Sequence, residues 1–420
     1  MSLRGFIDKL REASILRESH DPTSPVLEVA KQSMDDNPIF FYDVDGKKCC
    51  LNILSNRNLL ALALGINSKK TVPYLANKDY IGRVKEVDHS PFQEIVSKPD
   101  LSKLPILTYF SGDGGPYITS AVVVTKYEER FNACVHRLMV LGKDKLAARL
   151  VPGRHTYEIH QKALENGDDL PVAIAIGVDP IMLIAASTRV PPNMEFQYAS
   201  SLFGSPTELI RLENGVPVPH AEIVLEGYLT AELAKEGPFV DITGTRDLVR
   251  KEPVIRLTKM MTREDFIYQG LIPAGGEHKM LMGVPYEPLI FKAVSKVAKV
   301  RDVMLTEGGC CYFHAIIQIV KQTEEDARRA IEAAFQAHGS LKHVIIVDTD
   351  IDIHDLRDIE YAIATRSRGD LDILMFRNVR GSTLDPTSID GITTKVGIDA
   401  TASLDKLWKF QRVKTKMEHE

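Results

Sequence analysis

Apolar side chains recur at Leu3, Phe6, Ile7, Leu10 and Ile15, a spacing that predicts a helix over residues 3–16. A second helix is predicted after Pro25, through Val26, Val29 and Ala30. Ile39–Val44 predicts a strand entering an Asp45-Gly46 turn, with Cys50–Leu54 as its partner. Asn58–Gly65 predicts a short buried helix closed by its glycine. From Thr108 the texture turns to strand. Tyr117–Lys126 is rich in branched residues, and Phe131–Leu141 should pair with Lys145–Val151. A helix over Thr156–Asn166 is followed by a buried strand, Leu170–Val178, and by helices Pro180–Ala186 and Glu195–Leu202. Further strands are expected at Glu208–Leu212, Ala221–Leu229 and Val254–Thr262. So many short strands with intervening turns predict a barrel.

Near Pro285 strands and helices begin to alternate. The pattern predicts a helix over Glu287–Val300, a strand at Tyr312–Val320 and a helix over Thr323–Ala337 with Thr323 as its N-cap and Gly339 as its stop. A strand at Val344–Asp348, a helix over Asp355–Thr365 and a strand at Ile373–Phe376 follow, the signature of an α/β layer. Ala402–Lys416 is expected to form a helix that docks on a partner subunit. The fold class is therefore α/β multidomain (α+β). The divisions are an α/β unit over residues 1–105, a barrel over 106–285, a connector helix over 286–305, an α/β unit over 306–400 and a terminal helix over 401–420.

Composition narrows the class. At 420 residues the chain exceeds the usual size of a single core. A net charge of −5 without basic blocks argues against nucleic acid as a partner. The five cysteines, Cys49, Cys50, Cys134, Cys310 and Cys311, match neither a zinc pattern nor a disulfide framework and point to a reducing cytoplasm. The longest apolar run, Leu170–Ala186, is broken by Asp179-Pro180 and is too short to cross a bilayer.

Several polar residues could carry chemistry. Asn132, His155 and Glu195 offer an amide, an imidazole and a carboxylate, a mixed set suited to Mg²⁺ or Mn²⁺. Ordinary barrel residues would look the same, and His160 is an equal candidate. Arg137 could grip a carboxylate through two N–H groups or merely end a strand. Glu236 and Asp241 flank Gly237-Pro238-Phe239, a turn that could bring both acids to one point or leave them in solvent. Ser187 and Thr188 could meet a phosphate or cap a helix. Gly112–Gly115 reads as a plain turn, and Asp348–Asp355 as a strand-to-helix edge.

These segments resemble the UbiD family of decarboxylases in their order along nearly the whole chain. LRGFIDKLRE, NLLALALG, NACVHR, ASTRVPPNMEF, PVPHAEIVLEGYL, EGPFVDITG, VDTDIDIHD and KVGIDAT carry the likeness. The resemblance implies an N-terminal α/β domain, a flavin-binding split β-barrel and a C-terminal α/β domain. It implies prenylated FMN as cofactor, with Mn²⁺ held by Asn132, His155 and Glu195 and a nearby K⁺. Arg137, Glu236 and Asp241 match the catalytic Arg–Glu–acid set, and Thr119, Arg154, Ser187, Thr188 and Lys395 fall where relatives touch the flavin. Val240 departs from the pattern, since many members place glycine there. The compact length resembles members that convert trans-anhydromevalonate 5-phosphate to isopentenyl phosphate. Decarboxylation of an aromatic or polyprenyl-hydroxybenzoate is the alternative, and a non-catalytic flavin carrier a further one. A small carboxylic acid substrate, a flavin prenyltransferase as cofactor source and a homodimer or hexamer are implied as well.

Overall fold

The protein was analysed as a computed structural model that describes residues 2–413. Its contacts divide it into two compact units, one holding the chain up to Thr71 together with Lys78–Leu281, the other Val72–Asn77 and the chain from Met282 onward.

In the first unit, the helix Leu3–Glu12 starts at Ser2, whose hydroxyl accepts from Gly5 N–H. Leu3, Phe6, Ile7 and Leu10 form its buried face, as the spacing predicted, but the helix ends before Ile15. Ile39–Val44 pairs antiparallel with Lys47–Leu51, a partner that starts earlier than the expected Cys50–Leu54, within a four-stranded sheet that also takes in Arg17–Ser19 and Ile267–Gln269. The larger sheet has nine strands, all pairing antiparallel. Its path runs Tyr117–Ile118, Leu138–Val140, Lys145–Ala148, Arg250–Thr262, Ile223–Glu236, Leu170–Ile176, Val122–Tyr127 and Arg130–Val135, with Ile95–Ser97 added on Arg250–Thr262. Alternate residues of these strands, among them Val172, Ile174 and Ile176, feed one buried cluster with Ile223, Leu225, Ile255, Leu257 and Leu138. These strands thus share one buried interior.

Gly227 explains part of the AEIVLEGYL motif. The long strands Ile223–Glu236 and Arg250–Thr262 shift register between Glu226 and Gly227. A Cβ at Gly227 would lie 2.3 Å from the Arg256 carbonyl oxygen, so only glycine lets the two backbones approach.

The second unit carries a five-stranded sheet in the order Lys299–Leu305, His314–Val320, His343–Val347, Ile392–Ala400 and Ile373–Arg380. The three central strands run parallel and the edges antiparallel. Helices Asp326–Ala337 and Leu356–Arg366 connect them, the α/β layer the alternation predicted. Three details differ from the sequence reading. The connector helix expected over 286–305 covers only Glu287–Val294, because Lys299–Leu305 joins the sheet and buries Val303 and Leu305. The helix expected from Thr323 begins at Asp326, whose carboxylate accepts from Gln322 N–H, Thr323 N–H and the Thr323 hydroxyl and so holds those residues out of the helix. In place of a terminal helix there is a 3₁₀ segment, Leu404–Lys409; the rest of that expectation, beyond residue 413, lies outside the described residues. No helix among the described residues is long and apolar enough to cross a membrane.

Replacing Gly227 with alanine should cost about 1–3 kcal/mol by forcing the paired backbones apart. Denaturant unfolding of Gly227→Ala measures the loss, and an unchanged midpoint would refute this account of the motif.

Candidate active site

The stretch expected to be one strand, Phe131–Leu141, is two. Arg130–Val135 pairs with Val122–Tyr127, whereas Leu138–Val140 pairs with Lys145–Ala148 and Tyr117–Ile118. His136 and Arg137 occupy the break where the chain changes neighbours, so Arg137 is not a strand residue. Its guanidinium is 11% exposed. Nη2 donates to Glu236 Oε2 at 2.9 Å and to Asp247 Oδ2 at 2.9 Å, while Nη1 stands 3.5 Å from Asp241 Oδ2. The Phe239 ring lies under it, 4.6 Å from centroid to guanidinium carbon.

The three carboxylates come from one strand end and one hairpin. Glu236 ends the strand Ile223–Glu236, and a cis Gly237–Pro238 bond turns the chain. Phe239–Val240 then pairs with Arg246–Asp247, and between them Asp241 N–H bonds Thr245 O at 3.0 Å. Val240 is therefore a buried hairpin residue that fixes where Asp241 begins the turn. The Gly112–Gly115 turn packs beneath. Gly114 N–H donates to Pro238 O at 2.9 Å, and a Cβ there would fall 2.3 Å from Gly237 O. That glycine serves close packing.

Environment separates the acids. Glu236 is fully buried, with one oxygen on Arg137 and the other accepting from the Tyr117 hydroxyl at 3.1 Å. Burial raises the proton affinity of Asp247, but Arg250 at 2.6 Å and Arg137 outweigh it and hold the carboxyl below its ordinary range. Burial likewise works against the Arg137 charge, and Glu236 and Asp247 together reverse that and raise its pKa. Asp241 is held more loosely. Its Oδ1 accepts from Ile242 N–H at 2.7 Å, and Oδ2 has only the long contact to Arg137. It is the least tightly held of the three acids. Two-point capture of a substrate carboxylate by Arg137 would need Glu236 or Asp247 to yield, because both already sit on Nη2; Nη1 has only the long contact to Asp241, and the buried Nε has no hydrogen-bond partner.

Sequence reasoning missed Asp247 and His278. His278 lies in the helix Gly276–Gly283, and its Nδ1 accepts from Ala274 N–H at 3.0 Å, which leaves the proton on Nε2. Burial lowers its pKa to about 4, with Asp241 opposing and Arg137 reinforcing the shift, so a neutral imidazole faces this cluster. The only local signal was a histidine just after Gly275-Gly276.

The expected cation ligands lie on three elements, Arg130–Val135, His155–Glu165 and Glu195–Phe203. Asn132 is buried, and its Nδ2 donates to Thr156 Oγ1 at 2.8 Å, one residue from His155 at the start of the helix His155–Glu165. Glu195 opens the helix Glu195–Phe203 at 3% exposure, and its Oε2 has no hydrogen-bond partner. Burial pushes its pKa up to about 7, with its own backbone N–H and that of Ala133, next to Asn132, opposing. A buried carboxylate with an unanswered oxygen, Glu195 Oε2, has the chemistry that a cation would satisfy. No cluster of three His, Cys, Asp or Glu occurs among the described residues, as expected for a set that includes an amide. His160 is engaged instead, 3.1 Å from Thr230 O.

The residues expected to touch a flavin fare unevenly. Arg154 sits half-buried at the N-cap of His155–Glu165. The Ser187 and Thr188 hydroxyls donate back to Leu183 O and Ile184 O at a helix end, and would have to rotate to reach a phosphate. Thr119 Oγ1 bonds the Tyr109 hydroxyl and accepts from Leu271 N–H. Lys395 belongs to the second unit, where its ammonium donates to Gly339 O at 2.6 Å. There too, Arg366 binds both Asp348 and Asp350, which makes the DTDIDIHD stretch a structural ion pair.

Family models for 3-octaprenyl-4-hydroxybenzoate carboxy-lyase match in sequence: the N-terminal domain over residues 7–78, the Rift-related domain over 84–276 and the C-terminal domain over 279–400. The chain belongs to the UbiD family and is a carboxy-lyase. The anhydromevalonate phosphate decarboxylase of Methanosarcina mazei is 54% identical over 418 residues, which cover 98% of this chain and 99% of that protein. The enzyme of the same name from Archaeoglobus fulgidus is 44% identical over 410 residues, 97% and 94% of the two chains. Among solved structures, the UbiD-class enzyme HmfF from Pelotomaculum thermopropionicum in complex with FMN matches with a TM-score of 0.95 at 32% identity, covering 100% and 98%.

The low His278 pKa has a stability consequence. The unfolded chain takes up a proton below pH 6.5, the folded chain only near pH 4, so this histidine costs stability as the pH falls through that window. Between about pH 7.5 and pH 5 the wild type should lose up to about 2 kcal/mol more than His278→Asn in chemical unfolding. Equal losses would refute the shift.

Proposed function

We propose that this chain decarboxylates trans-anhydromevalonate 5-phosphate to isopentenyl phosphate, with prenylated FMN as cofactor. The observation that carries the reading is the end-to-end 54% identity to the Methanosarcina mazei enzyme. The clustering of Arg137, Glu236 and Asp241 supports it, because a carrier would need no loosely held acid beside a buried guanidinium.

Asn132, His155 and Glu195 would hold Mn²⁺ or Mg²⁺, with K⁺ as a further cation, and Arg154, Ser187, Thr188 and Thr119 would contribute to the cofactor phosphate and ring. When bound, prenylated flavin supplies the electron sink that lets carbon dioxide depart. The chain supplies position and a proton. Arg137 Nη1 orients the substrate carboxylate; Glu236 and Asp247 keep the guanidinium charged and fixed; Asp241 gives its proton to the substrate carbon once carbon dioxide has left. His278, neutral, presents its Nε2–H to the same space. The setting is a cytoplasmic homo-oligomer loaded by a flavin prenyltransferase.

Anaerobic reconstitution with prenylated flavin and Mn²⁺ should release carbon dioxide from anhydromevalonate phosphate and leave 4-hydroxybenzoate untouched; the reverse preference would refute the substrate. Asp241→Asn should retain flavin and manganese while kcat falls by about 10²-fold or more. Full turnover in that variant would remove Asp241 as the proton donor.

A further inference from the structure

Asn132 can ligate a cation only through its amide oxygen, so something must set which way the amide faces. Two side chains meet its Nδ2: Cys134 Sγ at 2.9 Å and Thr156 Oγ1 at 2.8 Å. Both also face His136, whose Nε2 is 2.9 Å from Cys134 Sγ and 3.2 Å from Thr156 Oγ1. The other ring nitrogen, Nδ1, lies 3.1 Å from the Arg149 carbonyl oxygen.

That carbonyl sets the polarity of the whole chain. A carbonyl oxygen only accepts, so His136 Nδ1 carries a proton and donates it. In the neutral ring Nε2 is then an acceptor and takes the hydrogen of Cys134 or Thr156, while the other's hydrogen goes to its neighbour, since Cys134 Sγ and Thr156 Oγ1 lie 3.1 Å apart. The lone pairs of sulfur and hydroxyl oxygen are left facing Asn132, which must answer with its two N–H groups. Were the proton to move from sulfur to Nε2, the thiolate would accept all the more readily, and the order would be unchanged. The carbonyl itself is anchored, since Arg149 Nη1 is held by Glu252 at 2.7 Å.

We propose that Cys134, Thr156 and His136 are positioning residues for the cation site: they hold the Asn132 amide by its nitrogen and so leave Oδ1 as a preset metal ligand. The inference rests on the cation reading of Asn132, His155 and Glu195. Ligand orientation of this kind is worth about 10–100-fold in metal affinity.

The test is Mn²⁺ binding to the full-length, flavin-free protein, followed through the EPR signal of free Mn²⁺, with circular dichroism to check folding. Cys134→Val and Thr156→Val, which remove the acceptors, should each weaken Mn²⁺ binding by about 10–100-fold. Cys134→Ser and Thr156→Ser, which restore an acceptor, should stay within about threefold of wild type. A general packing defect would not be rescued by serine. Glu195→Gln separates the two readings. Wild-type binding in that variant overturns the cation site and this inference with it. Loss there, with wild-type binding in folded Cys134→Val and Thr156→Val, overturns the inference alone; should Cys134→Val fail to fold, Thr156→Val decides.

Discussion

Arg137 cannot be buried without anions around it. A guanidinium carries a permanent charge and five N–H groups, and a protein interior repays its dehydration only through close, well-aligned carboxylates. Much of the first unit is arranged to deliver them. The register-shifted strand Ile223–Glu236 brings Glu236 to the site, and the hairpin brings Asp247 and Asp241. Gly114 lets the supporting turn pack against the hairpin base, and Tyr117 takes the second oxygen of Glu236.

The same constraint sorts the acids. Glu236 and Asp247 neutralise the arginine and lose their freedom in doing so. Asp241 keeps only a long contact to the arginine and some exposure. Chemically alike residues thus acquire different roles because their surroundings differ. The cation region shows the opposite imbalance. Glu195 is buried with an unanswered oxygen, and its proton affinity rises because no protein charge meets it. One region has its charge matched within the chain; the other leaves a carboxyl oxygen without a partner.

Local pattern and long-range packing had unequal shares in what could be read. Helices with an apolar stripe, such as Leu3–Glu12 and Leu356–Arg366, were legible because spacing alone places their side chains on one face. The break at His136-Arg137 was not, because apolar residues continue on both sides and only the change of strand partners reveals it. Asp247 and His278 were invisible for a related reason. Nothing within several residues of Asp247 marks it, His278 has only the glycine pair before it, and each matters through neighbours distant in sequence.

The chain by itself determined the strand and helix textures, the absence of basic blocks, and the ordered motifs that mark a UbiD-family enzyme, because these are local or are carried by residue identity. Only the tertiary structure decided that three carboxylates share one guanidinium, that Asp241 is the most loosely held of them, and that Asn132 is held by its nitrogen. Those outcomes depend on distances between segments about a hundred residues apart, such as Arg137 and Glu236, and on which oxygens burial leaves unanswered. Charge balance in a low-dielectric interior is set by the whole packing, and no stretch of sequence contains it.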